Sequence, residues 1–396
     1  MRWTNKGHEL DRYVQALVNK KRDIYVMGYG QIGIPLAESL HVLGVLSGII
    51  DNDINKQSKV VYGKKIMSLD EYNTDINILD SIIVIAVGEQ FKESVAKQLF
   101  DKGYVYGKDF FYFKEFLHRL LPIYALYMRD KVFVPNVQIS LTERCTLKCG
   151  KCAHGCYAVK NDAEDMPLSM VYKSVDSLFM KVDYIHEFVL IGGEPLLYKN
   201  MREVIEYVGS RYRKQINRFL IITNGTITPT QDVLEMCKKY NTLVNISNYV
   251  EALPYIEKHQ KRLIEVLEKQ GVTFVLFKPD REWMDYGFDH VNRDCTEEEL
   301  IKVFSSCDTP CREIRGNKYY YCIQARATSD NLKLNVGQDD YLDLDKLTGK
   351  NYKKVLVEFG LGYSEKGYLD MCRYCNGIEA KDYPIPVAEQ VREDDR

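Results

Sequence analysis

The sequence predicts an α/β protein in three parts. These are a doubly wound domain to about residue 125, a parallel barrel, complete or partial, over 126–290, and a small module over 291–396. Three observations predict this. Short apolar strands alternate with helical patterns through most of the 396 residues, a glycine-rich turn joins the first strand to the first helix, and eight of the eleven cysteines fall into three local groups.

The first strand is DIYVM, the turn is GYGQIG and the helix is IPLAESLHVLG. Gly28, Gly30 and Gly33 therefore stand between a strand and a helix, and Asp51 ends the second strand, LSGIID. That is the context of the Rossmann dinucleotide fingerprint, which would put a phosphate at the helix N-terminus and Asp51 on a ribose hydroxyl. The alternative is that the glycines only permit a tight turn and close helix–strand packing. SIIVIAVG reads as a buried parallel strand and VAKQLFDKG as a helix ending on glycine. FKEFLHRLLPIYALYMRD reads as a connecting helix broken at Pro122.

The middle region repeats strand and helix: NVQISL, EFVLIGG, RFLIITNG, LVNISN and VTFVLFK are strands, with amphipathic helices between them. Such repetition places function at the C-terminal strand ends. Beyond residue 291 the alternation fades to short strands such as NKYYYCIQA, a helix near LDKLTGKNYKKVLVEFG and the pair CRYC.

The balance of 28% charged residues and net charge −2 favours neither nucleic acid nor membrane as a partner, and the N-terminal stretch lacks a signal-peptide core. A cytoplasmic protein is expected, in which clustered thiols indicate metal or redox chemistry rather than disulfides. Cys145, Cys149 and Cys152 supply three thiols from one loop directly after a strand. A closed zinc site wants four ligands, the fourth being His154 or Cys156, whereas a four-iron cluster with one open iron wants three thiolates. Cys156, Cys237 and Cys295 otherwise read as small buried apolar residues.

The three-then-two spacing of CTLKCGKC resembles that of the radical S-adenosylmethionine (SAM) enzymes. The likeness continues in GGEPLL (Gly192, Gly193, Glu194), in ITNGT (Asn224, Gly225) and in NISNY (Ser247, Asn248), each ending a strand in order. The resemblance implies a partial (β/α)6 barrel and a SAM-binding 4Fe-4S cluster on Cys145, Cys149 and Cys152. SAM would be held by Gly192, Gly193, Glu194, Asn224, Ser247 and Asn248, and Glu194 would pair with its ammonium. It also implies a 5′-deoxyadenosyl radical that abstracts hydrogen from substrate, and an electron donor such as flavodoxin or ferredoxin. Ala153 stands where many members carry an aromatic residue.

Cys307, Cys311, Cys322, Cys372 and Cys375 offer five thiols for a four-ligand site, of zinc or of iron and sulfide. After a radical SAM core, this tail resembles the Twitch/SPASM auxiliary-cluster module. That implies one auxiliary 4Fe-4S cluster on Cys322, Cys372, Cys375 and either Cys307 or Cys311. Core and tail together resemble the butirosin-pathway inosamine dehydrogenase type. GYGQIGIPLAESL…GIIDND resembles small Rossmann domains fused to sugar-modifying enzymes. The implied function is dehydrogenation or epimerisation at a hydroxylated carbon of a sugar- or cyclitol-like small molecule, with a nucleotide or nucleotide-sugar docking on the first domain. A peptide maturase and a noncatalytic zinc or iron–sulfur protein are the alternatives. The residues name no general base. Tyr249, Lys278, Arg281, Trp283 and Tyr286 are candidates to face a substrate, or form only a surface loop with an aromatic anchor.

Overall fold

The computed structural model describes residues 22–75, 81–288, 293–334 and 337–391; the N-terminal stretch read above lies outside them up to residue 21. Two compact units divide the chain, the first covering described residues 22–135 with Val182–His186 and the second 136–181 with 187–391.

The first unit contains, in order, β1 (Asp23–Met27), α1 (Gly33–Leu43), β2 (Leu46–Ile50), β3 (Val60–Val61), β4 (Lys64–Met67), α2 (Leu69–Asp75), β5 (Ser81–Ile85), α3 (Glu89–Asp101) and β6 (Phe110–Tyr112). Its sheet runs β3-β4-β2-β1-β5-β6, and β1 pairs in parallel with both β2 and β5. The glycine turn after β1 thus opens where the strand order changes direction. Met27, Ile50, Leu69, Tyr72, Ile83, Ile85, Leu99 and Phe110 pack into one apolar core. Past β6 the chain is helical over Phe113–Glu115, makes a π turn over Phe116–Leu120 and continues as α4 (Leu121–Arg129). The break expected at Pro122 is therefore a widened turn: proline sits in the first turn of α4, where its missing N–H breaks no helical bond.

The chain continues with β7 (Phe133–Ser140), α5 (Leu168–Phe179), β8 (Tyr184–Ile191), α6 (Met201–Tyr212), β9 (Ile216–Thr223), α7 (Gln231–Lys239), β10 (Thr242–Ile246), α8 (Glu257–Gln270), β11 (Phe274–Leu276) and β12 (Trp283–Met284), the first residues of β7 and β8 being counted with the first unit and the rest with the second. Then come α9 (Glu297–Ser306), β13 (Arg312–Arg315), β14 (Lys318–Tyr320), α10 (Ile323–Leu332), β15 (Tyr341–Asp343), α11 (Tyr352–Gly360) and β16 (Pro384–Ile385). One sheet orders them β11-β10-β9-β8-β7-β13-β14-β15. β9, β10 and β11 are parallel neighbours, and β13 lies parallel to β7, with Glu313 opposite Gln138. Beyond residue 291, β13, β14 and β15 therefore extend the sheet of the middle region, while β16 pairs antiparallel with β12 in a sheet of two.

NKYYYCIQA is not one strand. β14 stops at Tyr320, Cys322 is extended (φ −122°, ψ 131°) and the chain enters α10 at Ile323. The tyrosine run favours a strand, while the glutamine, arginine and alanines that follow favour a helix.

Candidate functional site

Immediately after β7 the chain turns through Thr142–Arg144 into the cysteine loop. A Cβ on Gly192 would lie 2.2 Å from the carbonyl oxygen of Thr142, and one on Gly193 equally close to that of Arg144. The two glycines let the ends of β7 and β8 press together, and the backbone bonds Gly193 N to Thr142 O and Glu194 N to Arg144 O, both 2.8 Å, lock that approach. Asn224, after β9, donates through Nδ2 to Thr146 Oγ1 at 3.1 Å and to Cys145 Sγ at 3.6 Å. The third-strand motif thereby reaches the first cysteine.

Cys149 is buried in an apolar group with Leu147, Leu253 and Ile256, and Cys145, Cys152, Tyr249 and Trp283 pack against it. Burial pushes the Cys145 thiol up to about 12, and Glu194 and the other two thiols add to it. Burial likewise raises Cys149 to about 11. Cys152 moves the other way, chiefly because the Cys156 thiol hydrogen-bonds to it. Within the pair the proton is favoured on Cys156. Sequence reasoning assigned Cys156 either to zinc or to plain packing; it is buried, and it serves as a hydrogen-bond partner of Cys152.

Glu194 is 0% exposed. Its Oε1 accepts from Leu196 N (3.1 Å) and Thr223 Oγ1 (2.8 Å), and its Oε2 accepts from Asn224 N (2.9 Å). Within the chain this carboxylate ties the end of β8 to the end of β9. Gln260 on α8 does the same one strand further, donating to Asn224 O (2.9 Å) and Ser247 O (2.7 Å). Sequence reasoning missed Gln260, although a signal existed: it shares the buried face of its helix with Leu263 and Leu267 at helical spacing.

Burial pushes Glu194 up to about 7 against the three donors that favour its charge. Its folded pKa lies above the unfolded value of about 4.3, so the folded chain binds the extra proton between the two. The stability this contributes is fully present below the unfolded pKa and is lost as pH rises through about 7. The melting temperature of the metal-free protein should therefore fall from about pH 4 to about pH 7, and Glu194→Gln should flatten that dependence. An unchanged slope in the variant would assign the dependence to other groups.

A second thiol group lies in the C-terminal region. Cys307 follows α9, Cys322 caps α10, Cys372 sits in the 3-10 turn Asp370–Tyr374, and Cys375 ends that turn. Burial raises Cys322, and Cys307, Cys375 and Cys372 are the thiols acting on it. Cys372 feels Cys375 and Cys307, and Cys375 feels Cys307. Cys311 has other company: burial raises it to about 11, and its charged neighbours are Arg312, Glu187 and Glu313. Asp340 supports the turn, accepting from Asp370 N at 2.6 Å and Met371 N at 3.1 Å. Among the described residues no three His, Cys, Asp or Glu side chains converge as ligands of one metal ion would. In both groups the thiols are neighbours rather than a closed shell.

The remaining sequence-named residues divide. The hydroxyls of Ser247 and Tyr249 are hydrogen-bonded, and Asn248 Oδ1 accepts from Val250 N (3.3 Å) within its own turn. Tyr249 meets Trp283 edge to face at 5.7 Å. Lys278, Arg281 and Tyr286 are exposed. In the first unit a Cβ on Gly33 would lie 1.7 Å from Gly28 O, while Gly30 faces open space. Asp51 accepts from Tyr29 N (2.7 Å), Asp53 N (2.9 Å) and Lys56 Nζ (2.9 Å). Gly28, Gly33 and Asp51 thus have full structural employment in holding the turn against the sheet.

Residues 139–273, from within β7 to the residue before β11, match the family described as the Radical SAM superfamily. This stretch is a radical SAM domain. Such a domain implies a 4Fe-4S cluster and SAM. No curated protein matches the chain. Similar solved structures include anSMEcpe with bound AdoMet (18% identity, TM-score 0.30, 36% of this chain and 42% of that one). SuiB of Streptococcus suis bound to precursor peptide SuiA is another (14%, 0.31, 54% and 48%). BtrN in complex with AdoMet and 2-DOIA is a third (15%, 0.38, 65% and 97%). The match spans less than half of the first two structures. At that level of similarity none of the three assigns a substrate. Among the described residues no helix is long and apolar enough to cross a membrane.

Proposed function

We propose that the chain is a radical SAM enzyme with one auxiliary 4Fe-4S cluster, acting on a hydroxylated carbon of a sugar- or cyclitol-like substrate. The donor sets support the two clusters. Three thiols, Cys145, Cys149 and Cys152, fit a cluster that leaves one iron open to SAM, and four, Cys307, Cys322, Cys372 and Cys375, fit one whose irons are all ligated by protein. Together, when bound, the open cluster and SAM supply a 5′-deoxyadenosyl radical, and the second cluster an electron acceptor. The strand-end loops at Gly192–Gly193, Asn224 and Ser247–Asn248 would contact SAM. In this reading Glu194 and Gln260 set the loops' spacing, because their polar atoms are already hydrogen-bonded within the chain. The electron donor remains a flavodoxin- or ferredoxin-like protein. Asp51's carboxylate is engaged within its own turn, so nucleotide docking on the first domain is left out of the proposal.

One observation favours a polar, hydroxyl-rich substrate over an apolar one. Asn136 Oδ1, Gln138 Nε2, Asn245 Oδ1 and Glu313 Oε2 are buried without a hydrogen-bond partner. They come from β7, β10 and β13 of the one sheet. A buried polar atom left unpaired costs about 1–3 kcal/mol, so donors and acceptors are expected to reach these atoms in the working enzyme. A ligand with several hydroxyls supplies both; an apolar one supplies neither.

The test is anaerobic incubation of the reconstituted protein with SAM, reductant and perdeuterated cyclitols and nucleotide sugars. Deuterium in 5′-deoxyadenosine, with a keto or epimerised product, is the expected result. No transfer from any polyol, with transfer from a peptide instead, would overturn the substrate class and leave the peptide-maturase alternative.

A further inference from the structure

The segment beyond β16 lies along the cysteine loop. Ala388 takes a left-handed conformation (φ 52°), and Val387 and Ala388 are buried in the apolar group that holds Cys149. Gly150 N then donates to Glu389 O at 2.7 Å, and Val391 N to Lys148 O at 2.8 Å. Cys149 and Gln390 stand opposite each other as an antiparallel bridge. The Gln390 side chain completes the arrangement. Its Oε1 accepts from Lys148 N at 2.7 Å, and its Nε2 donates to Cys149 Sγ at 3.1 Å and to Ala388 O at 2.6 Å. One carboxamide therefore grips the backbone N–H of Lys148 and the sulfur of the middle cysteine, the latter across 241 positions of sequence. A Cβ on Gly150 would meet Val391 Cγ2 at 3.4 Å, so a larger residue there would press on the tail.

We infer that Gln390 is a positioning residue for the triplet: the tail 387–391 fixes the loop Lys148–Gly150, and the Gln390 amide donates to the Cys149 sulfur and so sets the reduction potential of the cluster that Cys149 would hold. The inference rests on the cluster reading above. An N–H donated to a ligating sulfur withdraws electron density and stabilises the reduced state, and such outer contacts also orient the ligand. Gln390 Nε2 is the side-chain donor that reaches the sulfur of Cys149.

Two variants of the full chain separate the roles. Gln390→Ala removes both contacts, and Gln390→Glu keeps an acceptor for Lys148 N while removing the donor to sulfur. Amide hydrogen exchange at Lys148 and Gly150 is read on the metal-free protein. The midpoint potential is read on the reconstituted protein by EPR-monitored titration, following the signal that added SAM perturbs. Gln390→Ala should exchange faster at Lys148 and lower the potential; Gln390→Glu should keep the protection and still lower the potential. Unchanged potential in both variants would overturn the electronic role, and unchanged exchange in Gln390→Ala would overturn the mechanical one. If no SAM-perturbed signal forms even in the parent protein, the cluster reading itself falls, and the exchange data still decide whether the tail holds the loop.

Discussion

Replacing Arg326 with methionine is expected to cost the fold about 3–5 kcal/mol, the range for breaking a buried ion pair from one side. Arg326 is 0% exposed on α10, and its guanidinium bonds Glu143, Glu313 Oε1 at 2.7 Å and Ser140 Oγ at 2.8 Å. Burial alone would raise Glu143; Arg326 outweighs it, helped by Asn331 and Arg315, and holds the carboxyl below its usual value. Without the cation, Glu313 stays behind in the interior without its ion-pair partner, and Glu143 is left to its weaker partners Arg315 and Asn331. Glu143 stands two residues before Cys145, and Asn331 on the same helix also bonds His154 O at 2.6 Å. The loss should therefore reach the cysteine loop, and iron retention should fall along with the denaturation midpoint. Adding Glu313→Gln to Arg326→Met should recover part of the stability, because the stranded charge is gone. A single variant as stable as the parent would show that these carboxyls do not depend on Arg326.

Replacing Cys307 with alanine should remove the auxiliary iron, about four of eight per chain for two four-iron clusters, while Cys311→Ala should keep all of it. The sequence leaves these two cysteines equivalent, since both precede Cys322, Cys372 and Cys375 at workable spacing. Their surroundings differ. Cys307 follows α9 toward the other three thiols, whereas Cys311 borders β13 beside Arg312, Glu187 and Glu313. Iron and sulfide counts on the two variants settle the matter. Loss of auxiliary iron in Cys311→Ala but not in Cys307→Ala would reverse the assignment.

What was legible in the sequence was local. GYGQIG, CTLKCGKC and GGEPLL each act within a turn, where a few neighbouring residues dictate the backbone. Glycine at 192 and 193 is read from the sequence as a SAM contact; the close approach that the structure shows is to the backbone of Thr142–Arg144. Asp51, expected to end the second strand, stands one residue past β2, with its oxygens turned to Tyr29, Asp53 and Lys56. What was not legible depends on distant segments meeting. Hydrophobic periodicity does not say that Arg326 will reach Glu143, that Gln390 will reach Cys149, or that β13 will lie beside β7. The tail's strand pattern was weak because its strands are two to four residues long, too short for a period to register.

The central claim is tested most directly by iron and sulfide counts after anaerobic reconstitution, paired with an assay of 5′-deoxyadenosine formed from SAM under reduction. Both are to be made on the parent protein and on the Cys145/Cys149/Cys152→Ala variant. The account predicts about eight irons falling to about four, with SAM cleavage reduced to background in the variant. Zinc in place of iron and no cleavage by the parent protein would contradict it.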